Sequence, residues 1–437
     1  MSWLNFFETK TELKHPFGRG INASLADDEE ELFNKSYEAF AAKDILSAYE
    51  YFFRSLQNYT DNHFNENISF VKKEDTLNFE IYQGTAKISG YITSEHIYAE
   101  SILTKKEHAF IALKRYILER NYQLTYAKYF ADNEYIKLKL YHDNITMSPQ
   151  KVFFPLRELA LNADFDKEYT KNEFPNTLIE DIEHLKPVNE KLLQLKYDSM
   201  QAWIQELENK ILTFPTNDNA GMQSFSYLCL LFKIDYLIVP KYEIYQKMSK
   251  IIQEYFSDEN STTEAKNEEL KKYVEILKKM DFENFSKNFY DAKYTFNPME
   301  KTSHEEINIF INESLTKIRW YKNNRYNLII PTIYKYIAFY LLYNYGLHPV
   351  TKDLLHTLVE IQNSDFFQEL NYNELYNQST NSFSKRTIIS RVNEIITPYK
   401  KRFKMLKPFG NELNFTSLNE FSNSFYIQIT NLNFEEI

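Results

Sequence analysis

The densest set of residues able to do chemistry lies near the C-terminus. Between positions 385 and 407 stand Lys385, Arg386, Arg391, Lys400, Lys401, Arg402, Lys404 and Lys407, opposed only by Glu394. The whole chain carries a net charge of −10, so this local excess of +7 leaves −17 for the remainder. Tyr399, Phe403 and Phe409 interleave with the cations. Cations neutralise phosphates and aromatic faces stack on bases, so the pattern fits single-stranded nucleic acid or an acidic protein surface. Lys400, Lys401, Arg402, Phe403 and Lys404 form its centre and are the candidate partner-binding residues. The alternative without function is a solvated face, or pairing with the chain's own acids.

Other chemistries find less support. Seven glycines occur (Gly18, Gly20, Gly84, Gly90, Gly221, Gly346, Gly410), where average usage would give roughly thirty. No GxGxxG or GxxxxGK[ST] is present, which excludes glycine-rich phosphate cradles. The single cysteine, Cys229, can build neither an intrachain disulfide nor a thiolate zinc site, and its apolar neighbours suit a small core residue. His304, Glu305 and Glu306 are metal-ligand types without ligand spacing, and acids belong at a helix start in any case. His96, His108 and His142 fall in one region, with nothing in the pattern that makes them converge. Ser224 follows Gly221 but lacks the second glycine of a nucleophile turn, and the 61 acids single out no catalytic pair. The reading is therefore binding chemistry, with no catalytic residue, metal or cofactor.

The elements that must position these residues change in texture along the chain. After the HPFGRG loop at 15–20, an acidic run at 27–31 suits a helix start. Leu32, Phe33, Tyr37, Phe40 and Ala41 recur at helical spacing, and Ile45, Ala48, Tyr49, Phe52, Phe53 and Leu56 continue beyond a break at 42–44. Residues 42–56 are similar to the second half of a tetratricopeptide unit, but no copy follows at a 34-residue period. Short strands are expected at 68–72, 76–82 and 85–92, the third running on or followed by another through 97–103. A helix is expected at 107–121, with Phe110, Leu113, Ile117 and Leu118 on one face, then strands at 124–130 and 135–142. In the latter, Ile136, Leu138 and Leu140 alternate with Lys137, Lys139 and Tyr141. Helix resumes at 177–186. From 189 onward only helices are expected, at 189–212, 222–238, 241–256, 262–280, 304–321, 332–345 and 351–362. A capping box at Ser261 to Glu264 opens the fourth of these. Linkers are expected at 215–220, 257–263 and 295–303.

The fold class is α+β: an N-terminal antiparallel-sheet sandwich with flanking helices, then an all-helical C-terminal domain. The expected division is an N-terminal segment at 1–28, an α+β domain at 29–187 and a helical domain at 188–437. Helix, three strands, helix, two strands, helix across about 30–186 resembles the type III secretion chaperone-like fold of bacterial sensory transduction regulators. That resemblance implies a sandwich that binds peptides or protein partners, often as a homodimer, without catalysis.

The run at 327–346 approaches the length of a membrane span, yet Lys335 sits near its centre and five tyrosines are spread through it, so a buried core helix is expected. The first residues lack a basic start followed by an apolar run, so a cytoplasmic address is expected. The functional expectation is a non-catalytic cytoplasmic binding or adaptor protein, chaperone-like, that engages a polypeptide and has no membrane partner. Nucleic-acid binding through 385–407 is the alternative.

Overall fold

The computed structural model describes residues 16–19, 27–57, 66–217 and 219–436. Its fold is α+β. Helices α1 (Asp27–Ala41) and α2 (Ile45–Leu56) form a hairpin, closed where Asp44 caps α2 by accepting from the Ser47 N–H. Strands β1 (Ile68–Lys72), β2 (Leu77–Gln83), β3 (Ala86–Ile92) and β4 (His96–Lys105) follow, then α3 (Ile111–Gln123), β5 (Lys128–Ala131), β6 (Tyr135–Asp143) and α4 (Pro149–Glu173). All six strands join one antiparallel sheet in the order β1-β2-β3-β4-β6-β5. Residues 97–103 belong to a separate strand, because the Thr93 N–H donates to the His96 carbonyl and closes a turn. Period-two alternation sends Leu77, Phe79, Ile81, Ile88, Leu138 and Leu140 to one buried face, against which α4 packs.

Two expectations in this half need correction. The helix placed at 177–186 is irregular chain; the helix present is α4. Ser148 caps α4 by accepting from the Lys151 N–H, and Pro149 occupies its first turn. Its periodicity is blurred by the internal Pro155 and by buried Asp166, Lys167 and Glu168. The Lys167 ammonium instead ties residues 178–186 down, donating to the carbonyls of Thr85 (3.3 Å), Glu180 (3.0 Å) and Asp181 (3.1 Å). On α3, Leu113 and Ile117 are buried as expected, but Phe110 and Leu118 are exposed.

The second half comprises α5 (Glu190–Ile211), α6 (Ala220–Lys233), α7 (Tyr242–Ser257), α8 (Thr263–Lys279), α9 (Phe282–Ser286), α10 (His304–Asn323), α11 (Ile330–Asn344), α12 (Pro349–Gln362), α13 (Ser364–Glu369), α14 (Lys385–Ile396) and α15 (Leu418–Thr430). A two-stranded ribbon, β7 (Tyr376–Asn377) with β8 (Ser382–Phe383), means that this half is not wholly helical. The α8 cap is Thr262, which accepts from the Ala265 N–H, one position after the expected Ser261. α6 does not run on as α-helix to 238 but gives way to a π turn at Ile234–Ile238. α11 lies at the centre, packed on α6, α10, α12 and α15, with Ile333, Ile337, Phe339 and Leu341 fully buried. Among the described residues, no helix is long and apolar enough to cross a membrane.

Buried apolar side chains form two large clusters, one drawn from residues 40–163 and one from 192–432. Phe296 is the exception, since it belongs to the first cluster. Residues 295 and 296 are therefore not part of a linker. The N–H groups of Thr295 and Phe296 donate to Gln83 Oε1 at 3.0 and 2.8 Å, and the Gly84 N–H donates to the Lys293 carbonyl. The chain thus crosses back over any division at 187/188 to finish the first core.

Candidate functional site

The five residues singled out in the basic segment part company. Lys400, Lys401 and Lys404 are exposed, as are Lys385, Arg386 and Lys407. Arg402 is paired within the chain: its Nη2 and Nε lie 2.5 and 2.9 Å from Glu436 Oε1, and it also meets Glu30. Arg391 pairs with the buried Glu360. Phe403 is only 4% exposed, packed edge-on against His348 (5.6 Å) and Phe434 (5.5 Å). Phe409 is likewise buried, against Phe425. The expected stacking role of Phe403 is thereby corrected: apolar rings beside solvated cations gain more by entering the core, and a buried ring offers no face to a base.

An aromatic-rich surface lies on the solvent side of the sheet. The polar phase of the strand alternation points away from the core, and the register aligns it into rows. Tyr91 faces Tyr98, and Tyr98 faces Tyr141. In the next row Ser89, Glu100, Lys139 and Lys128 are in register, and beyond it Ile102, Lys137 and Phe130. The Tyr91 and Tyr98 rings stack at 5.4 Å, and His96 lies 5.2 Å from Tyr141. Lys139 Nζ sits 4.5 Å from the Phe130 ring centroid. Tyr141 (63%), Phe130 (53%) and Tyr91 (39%) are exposed.

Charge on this face is compensated locally. Lys87 meets Glu80 at 2.8 Å, and Lys137 and Lys139 lie 2.9 and 3.7 Å from Glu100. The Tyr98 hydroxyl donates to Glu100 at 2.5 Å. Burial works against charge on Glu100, but the bonds from Tyr98 and Lys137 outweigh it and hold the carboxyl below its usual range. The β5 edge is closed: Asn121 of α3 accepts from the Tyr129 N–H (2.5 Å) and returns a bond to its carbonyl (3.0 Å). Sequence alternation had already put Tyr141 on the polar phase of β6. An aromatic in that phase was the available signal, but alignment with Tyr91 and Tyr98 needs the register.

A second set of groups, not foreseen, joins the two halves. Asp164 Oδ1 accepts from the Thr85 N–H and hydroxyl, both at 2.7 Å. Glu168, one turn later on α4, accepts from the Tyr290 hydroxyl, and Lys241 Nζ donates to the Tyr294 hydroxyl at 2.5 Å. Burial and the like charge of Glu168 push Asp164 up to about 7. Burial and the Arg19 guanidinium push Lys241 down to about 8. The Tyr290 bond to Glu168 tethers α4 to the helical half. The carboxylates share one face by i, i+4 spacing, which was hidden because α4 itself was not recognised.

His96 and His142 point to opposite faces of the sheet, since Ile97 rather than His96 is in register with His142. His108 lies beside Glu107. Among the described residues, no group of three or more His, Cys, Asp or Glu is placed to hold a metal ion. Cys229 is buried, and burial pushes its thiol pKa up. No protein-family model matches the chain, and neither does any curated protein.

Proposed function

We propose that the protein is a non-catalytic cytoplasmic adaptor, chaperone-like in its α+β half, that binds another polypeptide on the open face of its sheet. The Tyr91–Tyr98–Tyr141 row carries this reading. Tyrosine supplies a large amphipathic contact at low conformational cost and is enriched among residues that dominate protein interfaces. Lys87, Lys137 and Lys139 are matched by Glu80 and Glu100, so the face offers mixed charge suited to a polypeptide rather than a positive field suited to phosphates. Asn121 occupies the β5 edge at Tyr129, so a partner on that side lies across the strands and contributes side chains, as an amphipathic helix does. The expected order of helices and strands, which resembles the secretion chaperone-like fold, supports the same reading, although four strands precede α3 and the closing helix is α4.

The exposed Lys400, Lys401, Lys404 and Lys407 favour a second reading, an electrostatic contact with nucleic acid that lacks the stacking component. A photo-crosslinking residue at Tyr141, or at Lys400, distinguishes the two in native cells. The polypeptide reading expects one recurrent protein adduct at 141, abolished by Tyr91→Ser with Phe130→Ser. Adducts to nucleic acid at 400 and none at 141 would replace it with the second.

A further inference from the structure

Residues 16–19 lie against the helical half, although α1, which follows, packs on α2 and α4 in the first core. Three consecutive residues of this arm are each met by different chemistry. The Phe17 ring sits among Phe367 (5.0 Å), His356 (4.9 Å), Tyr372 (6.0 Å) and Tyr236 (6.3 Å). The Gly18 N–H donates to the Tyr236 carbonyl at 2.8 Å. Its φ is +69°, and an added Cβ would stand 2.9 Å from the Tyr236 ring, so only glycine fits. Arg19 Nε meets Asp235 Oδ1 at 2.5 Å, its Nη2 donates to the Pro240 carbonyl at 2.7 Å, and its guanidinium lies 3.4 Å from the Tyr245 ring centroid.

The acceptor for Gly18 and two of the partners of Arg19 come from one unusual piece of backbone. The π turn Ile234–Ile238 ends at Val239, whose φ of 55° is left-handed. A β-branched residue there is strained, and both π turns and such strain concentrate at functional sites. This turn supplies the Asp235 carboxylate and the Tyr236 carbonyl, and Pro240 follows at once. The Tyr236 hydroxyl is bonded to His356 Nδ1 at 2.9 Å, which fixes the ring that Gly18 abuts. Asp235 is 5% exposed at its side chain, and a carboxylate so enclosed is costly unless a cation with several donors reaches it.

We propose that this turn is a recognition site for a Phe-Gly-Arg segment, that its ligand is the chain's own residues 17–19, and that the same tripeptide binds when presented on a separate peptide. Tethering gives the arm a high effective concentration, which keeps the site filled in the intact chain. The inference does not rest on the sheet face, and its test leaves Tyr91, Phe130 and Tyr141 untouched.

The test uses a fluorescent peptide of residues 13–22 and three full-length chains: wild type, Phe17→Ala with Arg19→Ala, and Gly18→Ala. Gly18→Ala expels the arm by clash and alters no receptor residue. Saturable binding to both variants is expected, at least tenfold tighter than to wild type. Binding should fall at least tenfold for the peptide carrying Gly18→Ala or Arg19→Lys. Folded variants that bind the native and altered peptides alike, or bind neither, overturn the proposal. Should the variants not fold, the native peptide added during refolding is expected to restore the wild-type circular dichroism and the altered peptides are not; no restoration overturns it equally.

Discussion

Gly84 stands so close to Asp164 that a Cβ built on its backbone would be nearer to both carboxylate oxygens than any real side chain comes. Its φ of +55° is left-handed as well. The glycine is what lets Thr85 donate twice to Asp164 and bring the β2–β3 turn onto α4. Gly84→Ala should cost at least about 2 kcal/mol, since the left-handed penalty alone is about 1 to 2 kcal/mol. Combined with Asp164→Ala, the loss should be less than the sum of the two, because the second change removes the obstacle. Urea denaturation of the four chains checks this, and strict additivity would remove the clash from the explanation.

The Asp164 pKa gives stability a definite slope with pH. Its folded value of about 7 lies above the ordinary 3.8, so between the two the folded state holds a proton that the unfolded chain has released. Stability therefore falls as pH rises from about 4 to 7. Lys241 has the opposite sign: its folded value of about 8 lies below 10.5, so stability rises as pH climbs between them. Arg19, Glu168, Asp164 and Asp235 are the charged groups that act on Lys241, and Glu168 and Lys241 act on Asp164. Asp164→Asn keeps an Oδ1 acceptor for both Thr85 donors. It should flatten the acid slope and raise stability at neutral pH, on the order of 1 to 3 kcal/mol. Melting temperatures from pH 4 to 7 that keep the wild-type slope would reassign it to another group.

The basic segment should split in its response. Phe403→Ala is expected to cost about 3 to 5 kcal/mol, as for a buried ring. Replacing Lys400, Lys401, Lys404 and Lys407 together by Gln should change stability by less than about 0.5 kcal/mol, since exposed charges contribute little. A calorimetric scan of both variants decides; a tolerant Phe403 site would return that ring to the surface.

Cutting the chain at Pro187 should not release a well-folded sheet. Such a fragment lacks Thr295 and Phe296, leaves Gln83 Oε1 without its two N–H donors, and opens the core that Phe296 fills at 2% exposure. In the full chain, Phe296→Ala should cost about 3 to 5 kcal/mol. The near-ultraviolet circular dichroism of fragment 1–187 provides the check: sharp native aromatic bands without residues 288–301 would show that the return segment is dispensable.

Leu341→Ala offers a comparison in the helical half. Fully buried in the central helix, it should cost about 2 to 5 kcal/mol. Chemical denaturation is the measurement, and a change within about 0.5 kcal/mol would contradict the central placement of α11.

What could be read from sequence was what local periodicity determines. Alternation of two put Ile136, Leu138 and Leu140 on one face of their strand, because successive strand side chains must point to opposite sides. Helical spacing and a lone lysine were enough to make residues 332–345 a core helix rather than a membrane span. α4 escaped because Pro155 and three buried charged side chains break the apolar pattern on which such reading depends. Tertiary structure alone decided which polar-phase residues meet: Tyr91, Tyr98 and Tyr141 become a row only through strand register. It also turned Phe403 inward, brought Phe296 back to the first core and set Arg19 on Asp235 across 216 positions of chain. Propensity and periodicity act over a few residues, whereas these contacts come from loop closure and the packing of whole elements, whose outcome no short window of sequence contains.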